Sequence, residues 1–275
     1  MESDFEQYNK TASHYDDTRT PAGLALLLEC LSRCETPTGK QHILDAGCGT
    51  GNFIHQLHDK VGEITGLEMN ESMLQQCREK LGSKGNISLI QGSVTQMPFP
   101  ASQFDGIICN QVTHHLDTPN SPDFPQLSAM LKECYRVLKV GGGLAINTSS
   151  HAQIRDGFWW ISLIPEAMTR MVGQYAPIPL LKHMLEEAGF SLVTEQVDKD
   201  AILQGDAYLD PKGPLNAHYR NGDSTWSLVT TEELNRAKDQ ILQMDKADTL
   251  EAYVHGRDVL RQEIGQTTTI FGQKR

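Results

Sequence analysis

No stretch of this sequence concentrates positive charge. Lysine and arginine total 24 against 35 aspartates and glutamates, for a formal net charge of -11. A nucleic-acid binder needs a basic face to displace counterions from phosphates, so this balance argues against a nucleic-acid partner. No window is apolar for long enough to span a bilayer. The polar, acidic opening MESDFEQYNK does not read as a secretory signal. The expectation is a cytoplasmic protein with no membrane partner. The six cysteines, at 30, 34, 48, 77, 109 and 134, contain no CxxC pair, and none lies in the last half of the chain. Neither a disulfide framework nor a metal site is expected. Cys30 and Cys34 sit one helical turn apart, but small apolar residues of a reducing compartment are the simpler reading. No internal repeat or low-complexity tract is visible.

What is present is a globular composition, 39% hydrophobic and 21% charged, over a length that can bury a sizeable core. Residues 1–19 are a polar arm carrying Phe5, Tyr8 and Tyr15. Thr20 and Pro21 then predict a helix start, with threonine as the cap and proline at the first helical position. From residue 41 the pattern alternates. Apolar strands are predicted at 41–46, 64–68, 87–91, 104–110 and 143–149. Helices are predicted at 51–60, from the cap Asn70 to about Leu81, and at 124–138. Such alternation implies a parallel sheet covered on both faces. Beyond it, 151–176 reads as a helical insertion holding Phe158, Trp159 and Trp160. A helix at 179–188, closed by Gly189, and a strand near 190–197 follow. Residues 201–229 have few periodic apolar positions and read as a long loop or lid. Helices at 231–244 and about 248–262, and a β-branched strand at 267–271, close the pattern.

The most informative stretch is Ile43-Leu44-Asp45-Ala46-Gly47-Cys48-Gly49-Thr50-Gly51-Asn52. It leaves a strand and opens a helix, where glycines let the backbone turn sharply and approach a ligand. A pyrophosphate loop would read GxGxxG. Here the spacing is GxGxG, with Asp45 just upstream. A carboxylate aimed at the loop would repel a pyrophosphate and suit an ammonium group, which removes the nicotinamide dehydrogenase reading. Glu68 ends the predicted second strand, where an acid can accept hydrogen bonds from both hydroxyls of a ribose; an exposed strand-end charge is the plain alternative.

Five motifs in order, DAGCGTG at 45–51, LEMNESML at 67–74, GSVTQMPFP at 92–100, FDGIICNQVTHHL at 104–116 and VLKVGGGLAIN at 137–147, resemble those of class I S-adenosylmethionine-dependent methyltransferases. The likeness is nearest to the methyltransferase-domain type that includes the ubiquinone and menaquinone methylases, and it covers about 40–150. The resemblance implies a Rossmann-like, doubly wound α/β fold: a mostly parallel seven-stranded sheet with an antiparallel last strand and a helical and loop cap. It implies one methyltransferase domain over 1–275, with an arm and helix at 1–40 and the cofactor core at 41–150. The cap inserts would be 151–176 and 201–263, and the last strand 264–275. It implies S-adenosyl-L-methionine as cofactor. Gly47, Gly49 and Gly51 would pass beneath it and Asp45 would lie near its methionine end. Glu68 would hold the ribose, Met69 would pack on the adenine, and Asn110 would line the reaction centre. Where the family often carries an acid for the adenine amine, this chain has Ser93, so its hydroxyl or the Val94 backbone would serve. In related enzymes the arm folds over the cofactor, which makes Tyr15 and Arg19 candidate cofactor contacts and Tyr15 a candidate in the reaction.

Methyl transfer from a sulfonium needs alignment and, for some acceptors, removal of a proton; it requires no metal. His115 and His114 follow the fourth strand and are the candidate bases, with structural loop histidines as the alternative. Trp159, Trp160, Tyr208 and Trp226, and also Tyr219, fall in the inserts that should overhang the strand ends. They are candidates to stack on a small-molecule acceptor or cage an amine, although core packing explains any one of them. The reaction expected is N-, O-, S- or C-methylation of a small molecule. The alternatives are a quinone-type C-methylase and a non-catalytic S-adenosylmethionine-binding protein.

Overall fold

The computed structural model describes residues 21–82 and 84–275. Seven strands form one sheet: β1 (His42–Ala46), β2 (Glu63–Glu68), β3 (Ile87–Gln91), β4 (Phe104–Asn110), β5 (Leu138–Thr148), β6 (Ser191–Asp198) and β7 (Thr267–Gln273). Their order is β3-β2-β1-β4-β5-β7-β6. The first five are parallel, and β7 runs antiparallel to both β5 and β6. The order reverses between β1 and β4. Connections leave those two strands toward opposite sides, which opens a crevice beyond Ala46 and Asn110 where ligands bind in sheets of this kind.

The strands are apolar because both faces are covered. Alternate residues enter two separate cores, as the period of two requires. Leu44, Ile107, Leu144 and Ile146 face one core, built with helices α4 (Pro125–Val137) and α7 (Ile178–Glu187). Ile43, Ile64, Ile108 and Ala145 face the other, built with α1 (Leu24–Ser32), α2 (Asn52–Leu57) and α3 (Glu71–Leu81). Each such side chain contributes about 1.5–3 kcal/mol on burial. Asn70 caps α3 as expected, its side chain accepting from the amides of Ser72 at 2.9 Å and Met73 at 3.1 Å. The start of α1 differs from expectation. Thr20 lies outside the described residues, and the helix begins at Leu24, behind Gly23 with φ of 82°. A left-handed residue cannot continue a right-handed helix. Glycine is needed there because a Cβ would lie 2.8 Å from the Asn147 amide nitrogen.

The cap is formed by α5 (His151–Asp156), α6 (Pro165–Val172), α8 (Ala217–Asn221), α9 (Thr231–Lys246) and α10 (Leu250–Ile264), joined by short 3-10 turns. The stretch 201–229, expected to be a loop, is a succession of such turns with α8 among them, around buried Leu203, Tyr208, Tyr219 and Trp226. It lacks helical periodicity because single aromatic anchors replace an apolar stripe. The Trp159 amide donates to Tyr208 Oη at 3.0 Å and its indole donates to the Tyr208 carbonyl at 2.6 Å. Two buried glutamines fasten the cap to the sheet. Gln153 donates to the carbonyls of Ile264 and Thr267. Gln266 donates to the Gly157 carbonyl and accepts from the Leu203 amide. Among the described residues no helix is long and apolar enough to cross a membrane.

Candidate functional site

The chain turns out of β1 through three left-handed glycines, Gly47 at φ 86°, Gly49 at 52° and Gly51 at 81°. Their surroundings differ. A Cβ on Gly47 would strike Val112, and one on Gly51 would strike Cys77, so these two let the loop pack on its neighbours. A Cβ on Gly49 would meet nothing within 4 Å. That space belongs to a cavity of about 600 Å³, open mouth included, lined by Asp45, Gly47, Gly49, Phe53, Asn110 and Asn147 among others.

Two side chains on this cavity carry buried polar atoms that the described residues leave without a partner. Asp45 is 1% exposed, and its Oδ2 has no hydrogen-bond partner among the described residues. Burial, and then the nearby charge of Glu68, pushes its carboxyl up to about 8. Both amide atoms of Asn110 are likewise buried without a partner among those residues. Buried polar groups are seldom left unpaired, and each carries a cost of about 1–3 kcal/mol. A ligand ammonium beside Asp45 and a polar ligand group at Asn110 would relieve both. Together with the open space at Gly49, the donor set fits the amino-acid end of S-adenosylmethionine.

Glu68 is more than a strand-end charge. Its Oε2 accepts from the Gly49 amide at 3.0 Å and its Oε1 from the Asn70 amide at 2.8 Å, so it clamps the glycine loop to the start of α3. A carboxylate retains lone pairs beyond these two bonds. Met69 follows it, 47% exposed. Ser93 bonds the Thr95 hydroxyl at 2.8 Å, and Val94 is buried. Met69, Ser93 and Val94 occupy the same end of the sheet as the glycine loop but are not part of the cavity lining. Tyr15 and Arg19 lie outside the described residues.

A second, tighter cavity of about 360 Å³, open mouth included, lies under the cap. Its walls include Ile154, Phe158, Ile161, Met171 and Leu203, and its polar edge includes Gln111, His114, Tyr175, Asp223 and Thr225. The two cavities share Gln111 and Leu203. His114 is buried and its ring stacks on Tyr175, 4.5 Å between centroids at 9°. His115 points outward and is exposed, with its ring 3.8 Å from that of His114. Of the pair, His114 faces the second cavity. Trp159, Trp160 and Tyr208 are 0% exposed and, with Trp226, pack into the core of the cap instead of either cavity wall. Among the described residues no cluster of three metal-ligating side chains occurs.

Sequence reasoning missed Gln111, Asn147 and Tyr175. Asn147 carried a usable signal, a lone amide in the apolar run GLAIN. Gln111 carried a weaker one, its position next to Asn110. Nothing around Tyr175 marks it.

Residues 44–146 match the family described as "Methyltransferase domain". A demethylmenaquinone methyltransferase of Listeria welshimeri is 36% identical over 118 residues, 41% of this chain and 47% of that protein. The chain thus spans about half the length of the curated relatives it matches. Among solved structures, an Anabaena variabilis protein, provisionally described as a methyltransferase from an antibiotic biosynthesis pathway, aligns with a TM-score of 0.73. The alignment covers 93% of this chain and 98% of that one, at 17% identity. The [4+2]-cyclase SpnF aligns with a TM-score of 0.57 at 15% identity, covering 98% of this chain and 94% of that one. These likenesses concern the fold, which does not by itself specify a reaction. The glycine loop, its acids, the sheet order and the family match agree: the chain carries the cofactor-binding core of the class I S-adenosylmethionine-dependent methyltransferases and is related to the demethylmenaquinone methyltransferases.

Proposed function

We propose that this protein transfers a methyl group from S-adenosylmethionine to a small-molecule acceptor. The observation that carries the reading is the pair of cavities meeting at Gln111 and Leu203, one on the glycine loop and one under the cap. When bound, the cofactor supplies an electrophilic methyl on a sulfonium. The rest falls to the protein. Asp45, Asn110 and the glycine loop hold one partner. The cap walls exclude water and hold the other, so that alignment supplies much of the rate. His114, held flat against Tyr175, is placed to take a proton from an acceptor that must lose one. The described parts act as one unit because Gln153 and Gln266 tie the cap inserts to β7. Six free, buried cysteines suit a reducing, cytoplasmic setting.

Within this class, the names of the curated relatives favour a quinone-type ring and C-methylation over the broader set of acceptors. The matched segment covers the cofactor core, whereas the second cavity draws mainly on cap residues outside it. The test is turnover. With labelled S-adenosylmethionine and a panel containing a naphthohydroquinone, catechols and primary amines, S-adenosylhomocysteine and a labelled product should form together. Cofactor binding without turnover on the panel or on a metabolite extract would favour the non-catalytic alternative.

A further inference from the structure

Asn110 is the last residue of β4, and neither polar atom of its amide is held by a described residue. Its place on the glycine-loop cavity is therefore set by the backbone, and above all by the turn that leaves β4. That turn begins at Gln111 with φ of 53°, a left-handed conformation that is costly for a side-chain-bearing residue and persists where the surroundings over-determine it. Asn147 on β5, the partner of Asn110 across the two strands, ties Gln111 twice. Its carbonyl accepts from the Gln111 amide at 2.9 Å, and its Oδ1 accepts from Gln111 Nε2, also at 2.9 Å. An amide is planar, so fixing Nε2 also fixes Oε1, and that oxygen accepts from the Tyr175 hydroxyl at 3.2 Å. Asn147 has little freedom of its own. It is buried, and its side-chain nitrogen donates to the hydroxyls of Thr267 at 3.4 Å and Thr269 at 3.3 Å, both on β7. The start of α1 closes in beside the same nitrogen, which a Cβ on Gly23 would approach to 2.8 Å. A glycine at 111 would adopt the turn without strain. The chain instead carries a glutamine, whose side chain supplies the second tie.

We propose that Gln111 and Asn147 are positioning residues, which hold the β4 turn so that the Asn110 amide meets a polar group of the bound cofactor. This rests on the methyltransferase reading of the cavity and adds to it a relay that acts on the cofactor through Asn110. Gln111 and Asn147 also line the cavity. Their amides, however, are engaged with one another, with β7 and with Tyr175, whereas the Asn110 amide is bonded to none of them. A polar side chain that must meet a ligand gains from being fixed beforehand, because the ordering is then not charged to binding.

The test is a set of double-variant cycles on the full chain, read by calorimetric titration with S-adenosylhomocysteine. Asn110→Ala should weaken binding about tenfold and Gln111→Met about fivefold, the scale of one hydrogen bond. A residue that acts through Asn110 has nothing left to lose once Asn110 is gone, so the double variant should lose about tenfold and not about fiftyfold. Glu68 on β2 is separated from β4 by β1, about 10 Å at the usual strand spacing, and shares none of these bonds. Glu68→Ala combined with Gln111→Met should therefore lose the product of the two single effects. Asn147→Leu cuts the relay at its buried end and should repeat both patterns; where it fails to fold, Gln111→Met, at the half-buried end, decides. An unchanged affinity in Gln111→Met, or losses that multiply with Asn110→Ala, would overturn the proposal. So would a Gln111→Met background in which Glu68→Ala costs nothing further, because that marks general damage to the site. Each of these outcomes leaves the methyltransferase reading intact, whereas failure of the wild type to bind S-adenosylhomocysteine removes that reading itself.

Discussion

The cofactor half and the cap are held together by different means. In residues 42–148 the backbone of five parallel strands sets the frame, and the residues proposed for the cofactor sit where strands end: Asp45 on β1, Glu68 on β2, Asn110 on β4. In the cap no strand exists, and position is set by aromatic anchors and by side chains that bond main chain, such as Gln153, Gln266 and Trp159. The first kind of order leaves a periodic signature and recognisable motifs. The second depends on single residues far apart in sequence. The family match stops at 146, where the first kind of order ends.

If this contrast is right, damage to the two halves should separate. The largest expected effect is on stability, from the cap. Trp160 is fully buried against Phe158 and Trp226, and Trp160→Ala should cost about 3–5 kcal/mol in urea unfolding. A loss under about 1 kcal/mol would mean that the cap is loosely packed and that its aromatics are available for ligands. Next is Glu68→Ala. It removes the clamp on the Gly49 amide and should weaken S-adenosylhomocysteine binding by about 1–3 kcal/mol while the fold survives. An unchanged affinity would return Glu68 to the status of a surface charge.

A smaller effect, in the pH dependence of stability, follows from Asp45. Its folded-state carboxyl is raised from the ordinary 3.8 to about 8, first by burial and then by Glu68. Between those values the folded chain holds a proton that the unfolded chain has lost, so the contribution is fully present below pH 3.8 and is lost as pH rises through about 8. Thermal midpoints of the ligand-free protein should therefore decline across this window, and less so in Asp45→Asn. Parallel curves for the two proteins would contradict the assignment. The smallest effect concerns motion. The Trp159 and Leu203 amides are bonded to Tyr208 and Gln266, and both should be protected from hydrogen exchange before any ligand is added. Protection gained only with ligands would instead make the 201–229 stretch a moving lid.

The sequence carried much of the first half. The strand alternation, the Asn70 cap and the glycine loop with Asp45 were readable from local chemistry, and the place of Asn110 on the same cavity from the family resemblance. The helix start was misplaced by three residues, since the approach of Asn147 that demands Gly23 is a long-range contact. The cap aromatics looked like ligand contacts because composition reveals their presence and not their direction; the fold turns Trp159, Trp160, Tyr208 and Trp226 inward. The relay from Thr267 to Tyr175 joins four separate segments, and no local pattern announces it.

The central claim is that the glycine-loop cavity is a site for the amino-acid end of S-adenosylmethionine, with Asp45 facing its ammonium. Calorimetry of S-adenosylhomocysteine binding at pH 7, repeated in buffers of different ionisation enthalpy, tests it most directly. An ammonium placed beside a carboxyl that titrates near 8 should force it to ionise, so binding should release about one proton, and Asp45→Asn should abolish that release. Binding of NAD with no binding of S-adenosylhomocysteine, or binding of S-adenosylhomocysteine with the same proton balance in Asp45→Asn as in the wild type, would contradict the account.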